Sequence, residues 1–360
     1  MSLKREPIVG PYKGIIRDLP PPVPQEAFDD ALNFLCRKGR LQTRPRLNSF
    51  TAPPDGAIVR DILTFQDAVN ALHTLVLTTQ NPYFLTAGPT YNLLAYPGGI
   101  TSLDGTAFPY GLANLINRVY FSNGSVPVLY ADGESSIKVA GDVPGTARFM
   151  TELAGHLVLA HTTEPAPGTL GSTVYPRRVR WSKSGNPDDW TDFTAGFADL
   201  LEVPDELTGV ITIGRNGYLF RPHGFSIMYP TGIGMRPFGI EHYSYGLKGI
   251  GNAYPYSLAI YGDTAIFVAS DDVYALSLAG LRPIGLGSKK GIFKDLGNAL
   301  GDQVIGFITP TLGKGYDFLS YWLSIPGVDV TWIYNYDEGS WVRFNSSSGR
   351  LTAFNAVTVS

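Results

Sequence analysis

The chain has 360 residues, of which 44% are hydrophobic and only 16% charged, so it is a folded globular protein and not a disordered one. The formal net charge of −3 and the pI near 6.0 argue against a surface that grips nucleic acid or an anionic membrane. A single cysteine, Cys36, excludes both an internal disulfide framework and a cysteine metal cluster.

The first segment, residues 1–60, is expected to be an irregular arm. It begins MSLKREPIVGPYKG, which lacks the apolar core of a signal peptide, so we expect none. The stretch PPPVPQ (20–25) is predicted to be stiff and extended, because proline fixes φ and restrains the residue before it. Residues 26–41 are predicted to hold one short helix, since Phe28, Leu32 and Leu35 would share a face. The arm has too few periodic apolar residues to form its own core, and we expect it to clamp the rest of the chain or a neighbouring subunit.

The second segment, residues 61–360, is dominated by short strand-like runs. The chain contains 41 Gly, 27 Pro, 20 Tyr and 19 Phe, which indicates many strands joined by tight turns. Runs such as GYLFRP (217–222) and TAIFVAS (264–270) pair with their neighbours across turns of two to five residues. The only late helix candidate is KDLGNALGDQV (294–304), and no stretch approaches the ~18 apolar residues of a membrane span. These features predict an all-β body kept in a reducing, aqueous compartment.

Two windows of this body share a tryptophan pattern. Residues 179–193 read VRWSKSGNPDDWTDF and residues 330–344 read VTWIYNYDEGSWVRF, and together they hold four of the five tryptophans. Each window is interpreted as a strand, a turn and the next strand of one repeated unit, although chance alignment remains open. The positions of this structural repeat are Val179, Trp181, Trp190 and Phe193 in the first window, and Val330, Trp332, Trp341 and Phe344 in the second.

The spacing of the units favours a β-propeller. Hairpins group at 60–105, 113–145, 147–193, 206–248, 254–288 and 302–345, or about 50 residues per unit in the second half, which suits four-stranded blades. The fold class is therefore all-β, with about six blades, five or seven remaining open. Because a propeller must protect its sheet edges, we expect the alternating segment 350–359 to join the sheet formed by residues of about 60–100.

Several motifs also resemble those of a known family. Residues 10–47, with the motif Gly39, Leu41, Arg44 and Pro45, resemble the N-terminal region of tail hub, or nozzle, proteins of short-tailed bacteriophages, although Arg46 stands where that family often has Gly. The segment WSKSGNPDDW (181–190) is similar to their W-S-x-x-x-P-x-x-W segment, and residues 214–232 and 257–278 look like the hairpins that follow. These patches cover about half of the chain.

The resemblance implies a structural role in a virion. Such proteins form a ring, here expected to be a hexamer of the chain's own copies, which closes and extends the DNA exit channel below the portal and adaptor proteins. The implied partners are the portal-adaptor complex, tail fibre, spike or needle proteins, and double-stranded DNA that passes without sequence-specific binding. The implied location is the tail of a virion assembled in the host cytoplasm. No enzymatic activity, cofactor, metal or membrane-spanning segment is expected.

The chemical motifs were also assessed without that resemblance. The five histidines are expected to be satisfied in the fold or to face solvent, and GLGSKKG (285–291) lacks both the phosphate-loop spacing and a following helix, so it is predicted to be a plain loop. The acidic pairs Asp188–Asp189 and Asp271–Asp272 are interpreted as solvated turns, with calcium binding as the alternative. The basic cluster RRVR (177–180) beside Tyr175 and Trp181 could meet nucleic acid, but a solvated face or a subunit contact is the simpler interpretation.

Two other functions stay open at this stage. A propeller glycosidase would need two carboxylates about 5–9 Å apart at the centre, and the acids Asp205, Glu206, Glu241 and Asp263 lack any recognisable frame for that task. A carbohydrate-binding propeller of a tail or surface protein would need an aromatic platform in each blade. Only two tryptophan repeats are visible, which does not support that alternative.

Overall fold

The computed structural model describes residues 51–345 except 87–89, 105–107, 167–170, 203, 244–248, 298, 300, 312–316, 326 and 329; it also describes residues 32, 34–37, 40–43 and 357–358. Within this part, the chain is a β-propeller of six four-stranded blades, as expected. Consecutive strands of each blade pair in antiparallel fashion, because the turns between them are mostly short.

Each blade takes its four strands in chain order. Blade 1 contains β3 (Val59–Gln66), β4 (Leu72–Thr78), β5 (Pro82–Thr86) and β6 (Thr90–Leu93). Blade 2 contains β7 (Gly111–Leu115), β8 (Arg118–Ser122), β9 (Leu129–Ala131) and β10 (Lys138–Val139). Blade 3 contains β11 (Thr146–Leu153), β12 (His156–Pro165), β13 (Ser172–Trp181) and β14 (Gly196–Asp199). Blade 4 contains β15 (Gly209–Ile213), β16 (Asn216–Arg221), β17 (Gly224–Ile233) and β18 (Arg236–Tyr243). Blade 5 contains β19 (Ala259–Tyr261), β20 (Thr264–Val268), β21 (Val273–Ser277) and β22 (Gly280–Pro283). Blade 6 contains β23 (Ile305–Thr311), β24 (Asp317–Ser324), β25 (Val330–Asn335) and β26 (Ser340–Asn345).

The remaining elements are few. Two strands of the N-terminal arm, β1 (Phe34–Arg37) and β2 (Arg40–Thr43), form a hairpin, and β27 (Val357–Thr358) lies near the C-terminus. The helix α1 (Lys289–Leu296) and two single 3₁₀ turns, Pro255–Ser257 and Gly301–Gln303, lie between blades.

The turns inside the blades follow the local sequence. Leu153 pairs with His156 across Ala154 and Gly155, which have φ angles of 51° and 79°. Two positive φ values in a two-residue turn match the right-handed twist of the flanking strands, so the hairpin closes without splaying. The blade-2 turn repeats this geometry at Ile116 and Asn117, with φ angles of 53° and 57°.

The core is divided into clusters that lie between neighbouring blades. Five clusters combine residues of consecutive blades, from blades 1 and 2 through to blades 5 and 6. They arise because side chains alternate along each strand, so every blade has two apolar faces and each face packs against one neighbour. The sixth cluster, on the other face of blade 6, draws its described members from that blade alone. They are Phe307, Phe318, Trp322, Ile333, Val342 and Phe344.

Both terminal segments pair with edge strands of the propeller, one with the outer strand of blade 6 and one with the inner strand of blade 1. Leu32 forms a parallel bridge with Arg343 of β26, and the hairpin β1–β2 lies beside the same strand. At the other end of the chain, β27 pairs in parallel with β3, Val357 opposite Leu63. The expected joining of the C-terminal strand to the first sheet is therefore confirmed, and the described part of the arm contacts the propeller instead of standing apart.

Three local predictions were wrong. Residues 34–37 and 40–41 are strands and not a helix, because pairing within the hairpin beside β26 outweighs three apolar residues at helical spacing. The third blade does not end near 193, since β14 follows at Gly196–Asp199. The late helix, Lys289–Leu296, begins upstream of the predicted range 294–304 and ends just before Gly297.

Candidate functional site

The centre of the ring holds a small cavity. The first strands of all six blades line this space, which has a volume of about 240 Å³. Most of the lining is apolar, and the charged groups are Arg60 and Asp61 of β3. Asp61 is buried, and its Oδ2 accepts a hydrogen bond from the backbone N–H of Tyr110 at 3.0 Å. The volume is below the roughly 300–1,000 Å³ of ordinary small-molecule sites, so the centre is nearly filled by the protein itself.

The cavity does not bring together a pair of carboxylates. Asp61 is the only acidic residue among its described lining. The candidates from the sequence lie elsewhere: Glu241 is on β18, a fourth strand, and Asp263 is in the turn between β19 and β20. Asp205, in the segment between β14 and β15, pairs with His223 at 2.9 Å. Because glycoside hydrolysis needs two carboxyl groups flanking one bond, the arrangement of these acids does not suit it.

The two tryptophan windows are equivalent only in their first halves. Trp181 and Trp332 both lie on strands, as predicted, and each is on the third strand of its blade. Trp341 and Phe344 then lie on β26, the fourth strand of blade 6. The prediction that the second half of each window forms a strand is wrong for the first window, where Trp190 and Phe193 lie in the loop between β13 and β14.

The loop in blade 3 explains this difference. It carries Pro187 and three aspartates, and it folds on itself through Asx turns, with Asp192 Oδ1 accepting the N–H of Thr194 at 2.9 Å. Trp190 is buried in the core between blades 2 and 3 and donates its indole N–H to the carbonyl of Pro187 at 2.8 Å. Equivalent positions of the two windows also differ in burial. Val179 is buried and Val330 half-buried, while Phe193 is exposed and Phe344 is buried.

All five tryptophans are buried. Sugar-binding sites use exposed indole faces as platforms against which the ring of the sugar stacks. No tryptophan of this chain offers such a face, because each one packs in a core between strands. The carbohydrate-binding alternative therefore gains no support from the residues that suggested it.

Two of the three arginines in the basic cluster of residues 177–180 are paired with acids of their own blade. Arg178 and Arg180 both contact Glu164 Oε2, at 3.0 and 2.8 Å, and Arg178 also pairs with Asp199 at 2.7 Å. The guanidinium of Arg178 lies over the rings of Tyr175 and Phe197. Its hydrogen bond to Asp199 lowers the pKa of that carboxyl. Arg178 and Arg180 are thus matched by two carboxylates, which leaves less of the cluster's charge for phosphate groups.

The histidines are satisfied by protein groups, as expected. His156 and His161 are both buried and bond the carbonyls of Ser182 and Leu207, while His73 pairs with Asp67. Burial lowers the pKa of His156. Among the residues that the structure describes, no group of three His, Cys, Asp or Glu side chains could hold a metal ion.

The second half of the glycine-rich segment 285–291 forms the start of a helix, contrary to the prediction of a plain loop. Helix α1 begins at Lys289, directly after Ser288. Its N-terminal region already has an acidic neighbour, because Asp272 Oδ1 accepts the N–H of Gly285 at 3.1 Å and Lys289 lies 3.7 Å from Oδ2. Burial raises the pKa of Asp272. A carboxylate at this position would repel a phosphate, so the segment is best explained as structural.

Sequence reasoning missed a buried polar network in blade 4. Arg221 is only 1% exposed and donates from Nη1 to Ser226 Oγ at 2.7 Å. His242 Nδ1 lies 2.7 Å from the same oxygen, and its Nε2 lies 3.2 Å from Glu202 Oε2. This Ser–His–Glu order resembles a hydrolytic triad, but Ser226 is completely buried, so no substrate carbonyl can reach its oxygen. Only a tertiary arrangement of three strands and a loop could have revealed it.

The arm motif is only partly described. Leu41 lies on β2 opposite Cys36. Gly39, Arg44 and Pro45 lie outside the described residues. Within the part of the chain that the structure covers, no helix is long and apolar enough to cross a membrane.

Comparison with known proteins extends the fold but not the function. The sequence matches no family model and no curated protein. A catalytically inactive variant of virginiamycin B lyase from Staphylococcus aureus with quinupristin has a TM-score of 0.52 at 10% identity, over 86% of this chain and 93% of that one. Selenomethionine-substituted virginiamycin B lyase from the same organism has a TM-score of 0.50 at 10% identity, over 83% and 89% of the two chains. At such low identity the likeness is one of fold alone: this chain is a β-propeller.

Proposed function

We propose that the chain is a structural subunit of a short phage tail, in which several copies form a hub or nozzle ring below the portal and adaptor proteins. The observation that carries this proposal is the arm. Its sequence provides the most extended resemblance to tail hub proteins, and its described strands lie against the outer strand β26 at the periphery of the propeller. A peripheral arm suits contacts between subunits.

The cavity at the centre of each propeller supports a mechanical role for the assembly. A space of about 240 Å³ cannot admit a DNA duplex, whose major groove alone is about 12 Å wide. DNA would therefore pass through a channel formed between copies. The neutralised arginines of blade 3 fit such a conduit, because strong phosphate contacts would slow the release of DNA.

The proposal is tested by adding purified protein to emptied, tail-less capsids of its own phage, and separately to duplex DNA at physiological salt. We expect attachment to the capsids, a ring in negative-stain images, and weak DNA binding without sequence preference. Hydrolysis of glycans is not expected. Tight DNA binding together with no attachment to capsids would overturn the proposal.

A further inference from the structure

An exposed apolar patch lies on the rim of blades 3 and 4. It consists of Phe193, in the loop between β13 and β14, and of Ile233 and Met235, at the tip of the β17–β18 hairpin. These side chains are 69%, 61% and 83% exposed, respectively. Solitary exposed apolar residues are ordinary, but a patch built from two separate loops marks an interaction site.

The two loops are in contact at Gly234. A Cβ atom built on Gly234 would lie 3.6 Å from Cε2 of Phe193, so the ring lies against the backbone of the hairpin tip. The hairpin reaches this position because β17 continues past Met228, the last residue that it pairs with β16, and then pairs only with β18. At its base, Phe238 packs edge-to-face on Trp181 of blade 3, with ring centroids 5.5 Å apart. The tip is therefore held in place while its apolar side chains face outward.

The N-terminal arm offers an occupant of matching character. Residues 1–31 precede the first described residue, and their first nineteen contain Leu3, Ile8, Val9, Ile15, Ile16 and Leu19. The proline-rich stretch 20–25 follows, whose sequence favours a stiff spacer and would lower the entropy cost of docking.

The length of the arm allows it to reach a neighbouring copy. Leu32 lies beside Arg343 in blade 6, and blade 6 is opposite blade 3 in a ring of six. Leu32 and the patch of the same chain therefore lie on opposite sides of the ring. A segment of 31 residues spans up to about 100 Å when extended, whereas two blades of four strands lie only about 45 Å across, so it can reach an adjacent molecule.

We propose that the patch of Phe193, Ile233 and Met235 is the docking site for residues 1–19 of the neighbouring copy. Each copy then gives its arm at blade 6 and receives an arm at blades 3 and 4. Such a head-to-tail contact uses two different surfaces and generates a ring when the rotation closes. This inference deepens the proposed function and rests on the multi-copy assembly that it requires.

The experiment uses full-length chains and complementary variants. One variant carries Ile233→Asp and Met235→Asp in the patch, a second carries Ile8→Asp and Ile15→Asp in the arm, and Leu286→Asp is the control, because Leu286 is 88% exposed elsewhere in the chain. Oligomer size is measured by mass photometry and analytical ultracentrifugation. Thermal melting confirms that each variant folds.

The wild type and the Leu286→Asp control are expected to form the same rings. Each double variant alone should associate at least about tenfold more weakly. An equal mixture of the two should form dimers and nothing larger, because the intact arm of one variant fits only the intact patch of the other. A monomeric wild type, a patch variant that assembles normally, or a mixture that stays monomeric would each overturn the inference. Attachment of the protein to capsids is a separate readout. If the protein attaches but the patch variant assembles normally, only this inference is rejected. If the mixture forms dimers but the protein does not attach to capsids, only the proposed function is rejected.

Discussion

Phe344→Ala and Phe193→Ala should have very different effects, although the two residues occupy the same place in the sequence repeat. Phe344 is 1% exposed and packs edge-to-face on Trp322, with ring centroids 5.6 Å apart. Removing a buried phenyl ring costs about 3–5 kcal/mol, through lost transfer energy and the cavity left behind. That is a large fraction of the roughly 5–15 kcal/mol by which a native domain is stable.

Phe193 provides the matched control within the same chain. Its ring is largely exposed, so its removal should change the free energy of unfolding by no more than about 0.5 kcal/mol. For a domain of about 300 residues, about 1.6 °C of melting temperature is lost per kcal/mol, so the Phe344 variant should melt at least about 5 °C lower than the wild type. The Phe193 variant should melt within about 2 °C of it.

The assay is thermal melting followed by urea unfolding, with circular dichroism and tryptophan fluorescence as independent probes. Protein concentrations are kept low enough for the chain to be monomeric, so that subunit contacts do not contribute. Coincident transitions by the two probes justify a two-state treatment. Equal destabilisation by the two substitutions would refute the assignment of Phe193 to a surface loop and would restore the full equivalence of the two windows.

Three further perturbations test other parts of the structure. Burial lowers the pKa of His156, so on acidification the unfolded chain takes up a proton that the native chain does not. The free energy of unfolding, measured with urea, should therefore fall as the pH is lowered from about 7.5 to 5.5, and His156→Gln should make it less dependent on pH. An unchanged pH dependence in the variant would contradict this assignment. Glu164→Gln removes the carboxylate shared by Arg178 and Arg180 and should lower the free energy of unfolding by about 3 kcal/mol. Glu134→Gln, in an exposed pair with Lys138, should lower it by less than about 1 kcal/mol. Similar losses for the two variants would argue against a stabilising role of the Glu164 ion pairs. Truncation after Asn345 removes β27 and uncovers the inner edge of β3, so the melting temperature should drop and aggregation, measured by light scattering, should rise. Removal of residues 359–360 alone should change neither quantity. A truncated chain as stable as the wild type would show that β27 does not help to close the ring.

The local sequence determined most of the strands and the number of blades. Apolar alternation and turn residues such as Ala154–Gly155 act over a few residues, so the hairpins and their grouping can be predicted without knowing what they pack against.

Other features depend on contacts between segments far apart in the chain, which local patterns do not encode. The spacing of the tryptophans is identical in both windows, yet Trp190 lies in a folded loop and Trp341 in a strand, because loop turns and the packing between blades decide between the two. Residues 34–37 became a strand beside β26 despite their helical spacing, since tertiary pairing outweighs a weak local preference. The contact of Glu202 with His242 and that of Phe193 with the tip of the β17–β18 hairpin likewise exist only once a loop has been placed beside a strand that is distant in sequence.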